Sequence, residues 1–367
     1  MSLHNTHIAF FVLPAHGHIN PTLETVEALV KTGYRVTYAT SEAFAPVLRD
    51  IGADVVYYKG GPSSEGVREA LRIRRFIKHD IPALVIYDDL DRWGTWFAKE
   101  MPHVPTIRFF VGFASTVGGG FWGDHHDGLQ PLFNKSNSKP DSLSNYIYNH
   151  VCRCNLVFIP RFFQMHADTF DERFHFLGPS ISHRRAYGRW DSTNNERDII
   201  LISLGTVLNA RPDFYRICMD GLSELDFRII MSVGDGVDID TLRPIPANFE
   251  IRRFVPIVDI LPHSVVFIGH GGMNSTMEAL YHGVPLILAP QDRYHYLIAT
   301  RVAELGLGTV LPHNFDGQTL IDSIRSTLND SAALRRVSEV GVEMRKSRAA
   351  ETAVEIIEKH LHLEGGG

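Results

Sequence analysis

Residues 269–290, GHGGMNSTMEALYHGVPLILAP, and residues 13–21, LPAHGHINP, carry the strongest structural signals in this chain. The longer stretch reads as the end of a strand, a glycine turn, a helix over residues 273–282 and the start of another strand. The first turn of such a helix has free backbone N–H groups, which can hold a diphosphate without a metal. The shorter stretch places His18 at a strand-to-helix turn, where a general base could meet a substrate hydroxyl.

Short apolar runs alternate with helical patterns in both halves of the chain, as expected for parallel strands covered by helices on both faces. A helix is predicted over residues 21–31, with Asn20 as its cap, Pro21 at its first position and Gly33 just past its end. The pattern predicts an α/β fold with strands at residues 7–13, 35–39, 55–58, 83–87, 106–110, 156–159, 199–204, 228–233, 250–254, 265–268, 285–289 and 308–311.

The length of the chain, 367 residues with 44% hydrophobic content, exceeds what one core usually supports. Two domains are therefore predicted, over residues 1–180 and 198–350. Residues 181–197 between them are polar and lack periodic hydrophobicity, which indicates a linker. The last residues, 363–367, look like an expression scar and are not expected to belong to the fold.

The overall charge is modest, with a net value of −6 and a pI near 6.3, so nucleic acid and anionic membranes are not expected partners. The first apolar run, residues 8–13, is too short for a signal peptide or a membrane span. The cysteine count is odd and the spacing does not fit zinc, which predicts reduced thiols in a cytoplasmic protein at Cys152, Cys154 and Cys218. The oligomeric state cannot be read from the sequence.

At the two stretches quoted first, the chain resembles the family 1 glycosyltransferases of GT-B architecture, and among them the bacterial macrolide-type enzymes of antibiotic biosynthesis. The resemblance extends over almost the whole chain. It implies two Rossmann-like, doubly wound domains facing across a cleft, the first binding a small natural-product acceptor and the second a nucleotide sugar. In this family the last helix crosses back to the first domain, and residues 351–362 could form it. The implied reaction is an inverting sugar transfer to a hydroxyl that needs neither a metal nor another cofactor.

The resemblance also assigns a catalytic pair. His18 stands three residues before Pro21, as the family's general base does, and Asp88 matches the acid that orients it. The position of His18 before a helix N-terminus predicts a neutral imidazole. His16, in the same loop, is the alternative base.

The other acidic and histidine residues that stand close together in the sequence are not predicted to be catalytic or metal-binding. Asp89 and Asp91 crowd Asp88 and read as solvated turn residues. His125 and His126 do not form a convincing metal-ligand set, so no metal site is predicted.

The donor site is expected in the second half of the chain. His270 resembles the family histidine at the diphosphate, and Glu278 resembles the residue that accepts hydrogen bonds from the ribose. A glycine after a strand is often only a turn, and Glu278 could be an ordinary exposed acid, but the order and spacing of the whole segment favour a nucleotide site. The expected donor-binding residues are Ser203, Gly205, Thr206, Phe254, Val255, His270, Gly272, Met273, Asn274, Ser275, Glu278, Gln291, Asp292, Tyr294 and His295.

The identity of the donor base is ambiguous. Much of the family has a stacking tryptophan and a nearby glutamine where this chain has Phe254 and Ile257, a variant typical of transferases that use dTDP-deoxysugars. Glu278 instead suits a ribose with both hydroxyls, which favours a UDP-sugar with a dTDP-sugar as the alternative.

The sugar end also departs from the family. The family's Asp-Gln pair for glucose hydroxyls falls at Tyr294 and His295, although the nearby Gln291 and Asp292 could substitute. Glucose is therefore not predicted as the transferred sugar, and an amino or deoxy sugar becomes plausible.

The acceptor pocket is expected in the first domain. Its candidate lining residues are Phe110, Phe113, Phe121 and Trp122, although aromatic residues at such spacing often belong to a core.

Other functions are found on the same scaffold. A cell-wall N-acetylglucosaminyltransferase has a different glycine-rich first loop, and a sugar-nucleotide epimerase would lack the His18 loop. A catalytically silent nucleotide-binding homologue should have lost His18 or Asp88, and both are present.

Overall fold

The computed structural model describes residues 6–57, 80–115, 152–181, 190 and 197–364. The chain folds into two compact units. One consists of Met1–Ser182 together with Arg348–Gly367, and the other of His183–Ser347.

The first unit contains a parallel sheet. Its strands are β1 (His7–Phe11), β2 (Arg35–Thr40), β3 (Asp54–Tyr57), β4 (Leu84–Asp88), β5 (Thr106–Phe110), β6 (Asn155–Val157) and β7 (Phe174–Phe176). They lie in the order β3-β2-β1-β4-β5-β6-β7, and every neighbouring pair is parallel. The α-helices that follow these strands are α1 (His16–Ile19), α2 (Leu23–Lys31), α3 (Ala45–Asp50) and α4 (Arg92–Glu100).

The sequence of β1, HIAFF, explains why this sheet is covered on both faces. All five residues are buried. Ile8 and Phe10 pack into a core with side chains of α2, whereas Ala9 and Phe11 pack on the opposite face against side chains of α4. Successive side chains of a strand point to opposite faces, so a strand with no polar face requires a layer of helices on each side.

The predicted start of the helix after β1 is wrong. Helical conformation begins at His16, with Ala15 before it in an extended conformation, and Asn20 is itself helical at φ −55° and ψ −43°. Pro21 lacks an N–H group, so the chain passes through a 3₁₀ turn, Asn20–Thr22, before α2 begins. The predicted end is confirmed, because Gly33 has a positive φ of 97°.

The second unit repeats the architecture. Its strands are β8 (Ile199–Ser203), β9 (Arg228–Ser232), β10 (Phe249–Arg252), β11 (Ser264–Gly269), β12 (Leu286–Leu288) and β13 (Gly308–Val310). They form a parallel sheet in the order β10-β9-β8-β11-β12-β13. Its α-helices are α5 (Pro212–Leu222), α6 (Ile257–Ile260), α7 (Met273–Tyr281), α8 (Arg293–Glu304), α9 (Gly317–Asn329) and α10 (Ser331–Arg345). The predicted α/β class with two parallel sheets is confirmed.

The last helix, α11 (Ala349–Glu364), belongs to the first unit. It packs against α2, and its Ala353 and Ile357 are fully buried in the core that contains Ile8. The Tyr34 hydroxyl donates a hydrogen bond of 3.3 Å to Glu358.

Within the predicted linker, the structure describes Ile181, Trp190 and Arg197. Trp190 lies in the second unit, where the Arg228 guanidinium is 5.6 Å from its ring centroid.

Cys152, Cys154 and Cys218 are all buried and unpaired. Among the helices in the described part of the chain, none combines the length and apolar character needed to cross a membrane.

Candidate active site

The first group of candidate residues, His18 and Asp88, lies at the carboxyl ends of two neighbouring strands, from which the chain proceeds toward opposite edges of the first sheet. β1 and β4 are neighbours, and the chain continues from them toward opposite edges of the sheet. In doubly wound folds the loops at such a point diverge and leave a crevice at the carboxyl ends of the strands. His18 lies in α1, just after β1, and Asp88 is the last residue of β4.

The structure brings His18 and Asp88 into contact. The His18 Nδ1 atom is 2.6 Å from Asp88 Oδ2. The fully buried Asp88 carboxylate also accepts hydrogen bonds from the backbone N–H of Leu13 (3.3 Å) and of Leu90 (3.0 Å). The His18 side chain is 16% exposed. Because Nδ1 is engaged with Asp88, Nε2 is the ring nitrogen left to meet a substrate.

The electrostatics of His18 differ from the sequence expectation. Burial lowers its pKa, but the charge of Asp88, the hydrogen bond to Asp88 and the charges of Asp89 and Asp91 outweigh that effect, so the net pKa is raised. The prediction of an imidazole kept neutral by a helix N-terminus is therefore wrong in direction, because His18 lies inside a helical segment beside a carboxylate.

Asp89 and Asp91 are not the solvated turn residues expected from the sequence. Asp91 is 3% exposed and caps α4, where its carboxylate accepts a hydrogen bond of 2.9 Å from the Gly94 N–H. Asp89 is half-buried, and burial together with the charge of Asp88 raises its pKa well above the usual range. A capping aspartate before a helical pattern is a signal that the sequence did contain.

His16, the alternative base, is at the first position of α1. Its ring packs edge-on against Phe44, with 4.9 Å between the centroids.

The second candidate group occupies the corresponding place in the second unit. β8 and β11 are neighbours in the sheet, and the chain leaves them toward opposite edges. The loop after β8 begins at Leu204, and the loop after β11 contains His270. The Ser203 hydroxyl accepts a hydrogen bond of 3.2 Å from the Gly205 N–H.

The His270 ring fits between two glycines, one from each loop. A Cβ atom on Gly205 would lie 2.7 Å from His270 Cε1, and a Cβ atom on Gly272 would lie 2.4 Å from His270 Nε2. Both distances are shorter than a carbon atom can tolerate without displacement of the ring. The glycines at these positions are therefore required by the close approach of the imidazole.

His270 also contacts His295, which lies in the first turn of α8. The two rings pack edge to face with 4.5 Å between centroids. Burial and the neighbouring His295 lower the pKa of His270 to about 3, against the effect of the Ser203 backbone. Burial also lowers the pKa of His295, and Asp292 opposes this shift. Both imidazoles are therefore neutral near pH 7.

The N-terminus of α7 has no side-chain cap. Gly272 occupies the cap position in an extended conformation. Because Gly272 has no side chain, the cap residue cannot cover the N–H groups of the first turn, and the Ser275 hydroxyl donates a hydrogen bond of 3.1 Å to the Gly272 carbonyl instead. Such a helix end attracts anions.

The other expected donor residues belong to the same unit. Glu278 is 5% exposed, so the reading as an ordinary exposed acid is wrong. Asp292 caps α8 through a hydrogen bond of 2.8 Å from the His295 N–H. The remaining positions range from buried to exposed: Met273 and Val255 are buried, Phe254, Asn274 and Tyr294 are partly buried, and Thr206 is exposed.

Two further residues, Arg211 and Asn209, form hydrogen bonds to the loops of this group and were not identified from the sequence. Arg211 donates a hydrogen bond of 2.9 Å to the Gln291 side-chain carbonyl and forms an ion pair with Asp213. Asn209 is 3% exposed and joins two loops, donating to the Gly205 carbonyl and accepting from the Gly236 N–H, both at 2.9 Å. Neither residue stands in a recognisable motif, so no local pattern could have identified it.

The aromatic residues expected to line the acceptor pocket are buried where the structure describes them. Phe110 and Phe113 are only 1% and 2% exposed, and Phe113 stacks on Phe163 with 5.8 Å between centroids. Their packing is that of core residues, which leaves them little surface for a ligand in this conformation. Phe121 and Trp122 lie outside the described residues.

Within the described ranges, no group of three or more His, Cys, Asp or Glu side chains is arranged to hold a metal ion.

The chain is similar to known glycosyltransferases in both sequence and structure. The domain family described as Erythromycin biosynthesis protein CIII-like, C-terminal domain, matches residues 216–363. The chain is 35% identical to the NDP-glycosyltransferase YjiC of Bacillus subtilis (strain 168), with 97% of each chain covered. It is 29% identical to the demethyllactenocin mycarosyltransferase of Streptomyces fradiae, over 96% of this chain and 86% of that one. The solved glycosyltransferase of kitacinnamycin has a TM-score of 0.83 and 26% identity, with 98% of this chain and 100% of that chain covered.

Proposed function

Because this chain belongs to the family 1 glycosyltransferases of GT-B architecture, we propose that it catalyses an inverting, metal-independent sugar transfer with His18 as its general base. The enzyme is a natural-product type glycosyltransferase with a nucleoside diphosphate sugar as donor. The observation that carries the finer proposal is the 2.6 Å contact between His18 Nδ1 and the buried Asp88 carboxylate.

In the proposed reaction the acceptor oxygen attacks the anomeric carbon of the donor sugar. The bond between that carbon and the diphosphate oxygen breaks, and its electron pair goes to the diphosphate. The acceptor proton goes to His18 Nε2, and Asp88 stabilises the imidazolium that forms. This division between a base and its orienting carboxylate is the one used by catalytic triads, although no covalent intermediate is needed here.

The donor diphosphate is proposed to bind at the N-terminus of α7. Three features support this: the helix end lacks a side-chain cap, glycines flank the loop, and the buried His270 Nδ1 has no hydrogen-bond partner among the described residues. The loop after β8, with Ser203 and Gly205, is proposed to border the same phosphates.

For the nucleotide base we propose uracil, with thymine as the alternative. Glu278 is buried rather than exposed, which sets it apart from an ordinary surface acid and agrees with a role toward ribose hydroxyls. The acceptor is proposed to be a small natural product with a free hydroxyl.

The test combines ligand-induced stabilisation with transfer assays. Thermal unfolding is measured with UDP, dTDP, GDP and their common sugar conjugates, because a ligand that binds the folded state raises the midpoint. Transfer from the best donor to a panel of phenolic and macrolide acceptors is then compared in wild type, His18→Ala and the matched control His16→Ala.

We expect one nucleotide to stabilise the protein selectively, and His18→Ala to keep that binding while losing about 10²–10⁴-fold in turnover. His16→Ala should retain turnover. Loss of turnover in His16→Ala with an active His18→Ala would overturn the assignment of the base. Release of a changed sugar nucleotide without acceptor would favour the epimerase instead.

A further inference from the structure

We infer that binding of the donor diphosphate to the second unit takes up a proton, and that His295 carries this proton as a cation facing the departing nucleotide. This inference rests on the proposed function, because it assumes that a nucleoside diphosphate sugar binds at the N-terminus of α7. It assigns His295 a role in compensating the charge of the leaving group.

The first argument is the geometry of the two imidazoles. His270 and His295 pack edge to face, 4.5 Å between centroids, and His270 is held in place by the close approach of Gly205 and Gly272. The His270 residue is 9% exposed and the His295 side chain 12%. The Nδ1 atom of each ring is buried and has no hydrogen-bond partner among the described residues. Buried ring nitrogens without hydrogen-bond partners beside an uncapped helix end are costly unless a bound ligand supplies the partners.

The second argument comes from the groups that face the pair. Asp292 Oδ1 lies 3.2 Å from His295 Nδ1, without the geometry of a hydrogen bond, and favours the charged form of His295. The positive ends of α7 and α8 favour the neutral form. Arg211 is engaged with Asp213 and Gln291, and the Tyr294 ring is 6.5 Å from His295. In the free protein, burial decides the balance and both rings stay neutral.

A bound diphosphate reverses this balance. It brings negative charge to the N-terminus of α7 beside the pair, which offsets the positive potential there and raises the pKa of a nearby imidazole. Two imidazoles this close cannot both be charged, because like charges at such a separation repel strongly. His295 is the ring that charges, since it has the Asp292 carboxylate beside it and His270 has no carboxylate among the causes that shift its pKa. When the bond to the sugar breaks, the imidazolium offsets the charge that develops on the leaving oxygen.

The experiment is isothermal titration calorimetry of the full chain with UDP-glucose and dTDP-glucose at pH 7. Each titration is repeated in HEPES and in Tris, whose heats of ionisation differ and which do not bring a phosphate to the site, so the difference in measured heat gives the protons exchanged. A sugar diphosphate diester has no group that titrates near neutrality, so any uptake belongs to the protein. UDP and dTDP are titrated as well, and because their terminal phosphate itself titrates near neutrality, only the difference in proton uptake between wild type and the His295 variants is assigned to the protein for these two ligands.

The variants are His295→Gln and His295→Asn, with His313→Gln as the matched control. His313 is an exposed histidine of the same unit. His18→Ala removes the other titrating imidazole of the proposed reaction. Thermal unfolding of each variant checks that it is folded.

We expect an uptake of about one proton per bound donor in wild type, His313→Gln and His18→Ala, and about zero in the two His295 variants, which still bind. The dissociation constant of the wild type should fall by up to about tenfold per unit decrease in pH near neutrality, and that of His295→Gln should not.

Binding without proton uptake in the wild type would overturn the inference and leave the donor site intact. Uptake that persists in both His295 variants would overturn the role of His295. If neither sugar nucleotide nor free nucleotide binds the wild type, the proposed donor site fails and this inference fails with it.

Discussion

At the residue scale, the two units use the same kind of residue in opposite electrostatic states. His18 and His270 each follow a strand at the point where the sheet order changes direction. The pKa of His18 is raised because a buried carboxylate contacts its ring. The pKa of His270 is lowered because burial and a second imidazole surround it. The family resemblance paired His18 with Asp88, but it gave no contact between His270 and His295, because these two residues are brought together by separate segments of the chain.

The raised pKa of His18 predicts how activity depends on pH. A general base works only when it is unprotonated, so kcat/KM should rise with pH and level off above an apparent pKa higher than the 6.5 of an ordinary histidine. Asp88→Asn removes the main charge that raises this pKa, so the rise should move to lower pH and kcat should fall by about 10²–10⁴-fold. The profile is measured for both proteins with one donor and one acceptor. A rise at the same pH in Asp88→Asn would contradict the coupling.

The fit of His270 between glycines gives a second prediction. Gly272 has a φ of −65°, which any residue can adopt, so Gly272→Ala is a purely steric change. Its Cβ atom would displace the His270 ring, and we expect donor affinity to fall by about tenfold or more. In the His270→Ala background the same change should cost little, because the obstacle is gone. Calorimetric dissociation constants for the four proteins test this, and additive losses would refute the steric explanation.

At the scale of elements, the pattern of apolar residues predicted the positions of strands more accurately than the residues at which helices begin. The continuous apolar runs of β1 and β8 predict buried parallel strands, and both are buried throughout. The strand β7, FHF, is absent from the prediction because His175 in its centre interrupts the apolar run. The predicted helix start at Pro21 is too late, because this proline marks a 3₁₀ interruption rather than a beginning.

The cap of α4 links local stability to the candidate base. Asp91→Ala removes a buried cap and should lower the free energy of unfolding by about 1–2 kcal/mol. Asp91→Asn keeps an acceptor for the Gly94 N–H and should cost less. It also removes a charge that raises the pKa of His18, so its pH–rate profile should shift to lower pH.

The matched control for this cap is Asp330→Ala. Asp330 caps α10 in the second unit through the N–H groups of Ala332 (3.0 Å) and Ala333 (2.9 Å). The variant should lose stability in urea unfolding without any shift in the pH–rate profile. A shift in Asp330→Ala equal to that of Asp91→Asn would show that the profile reports stability and not the charge near His18.

At the scale of the whole molecule, alternating strands and helices predicted two parallel sheets, and the structure has them. The pattern could not predict the order of strands in each sheet, because order depends on which edge each connection reaches. That order is what places His18 beside Asp88, and His270 beside Gly205.

The assignment of α11 to the first unit predicts where core mutations act. Ile357→Ala removes a fully buried side chain that packs in the core of the first unit, and should cost about 2–5 kcal/mol there. Ile324→Ala is its match in the second unit, where Ile324 is 1% exposed. Hydrogen exchange measured by mass spectrometry should show lost protection in α2 for Ile357→Ala and in α5 for Ile324→Ala. Equal loss in both helices for either variant would contradict independent cores.

The position of α11 in the chain also has a consequence during synthesis. The ribosome makes Met1–Ser182 first, but Ala353 and Ile357, which complete the core of that unit, are translated only after His183–Ser347. At about 5–20 residues per second this interval lasts on the order of ten seconds. The face of α2 that α11 covers stays open throughout, so the unit that is translated first is the last to be finished, and the nascent chain exposes an apolar surface for chaperones until its final helix emerges.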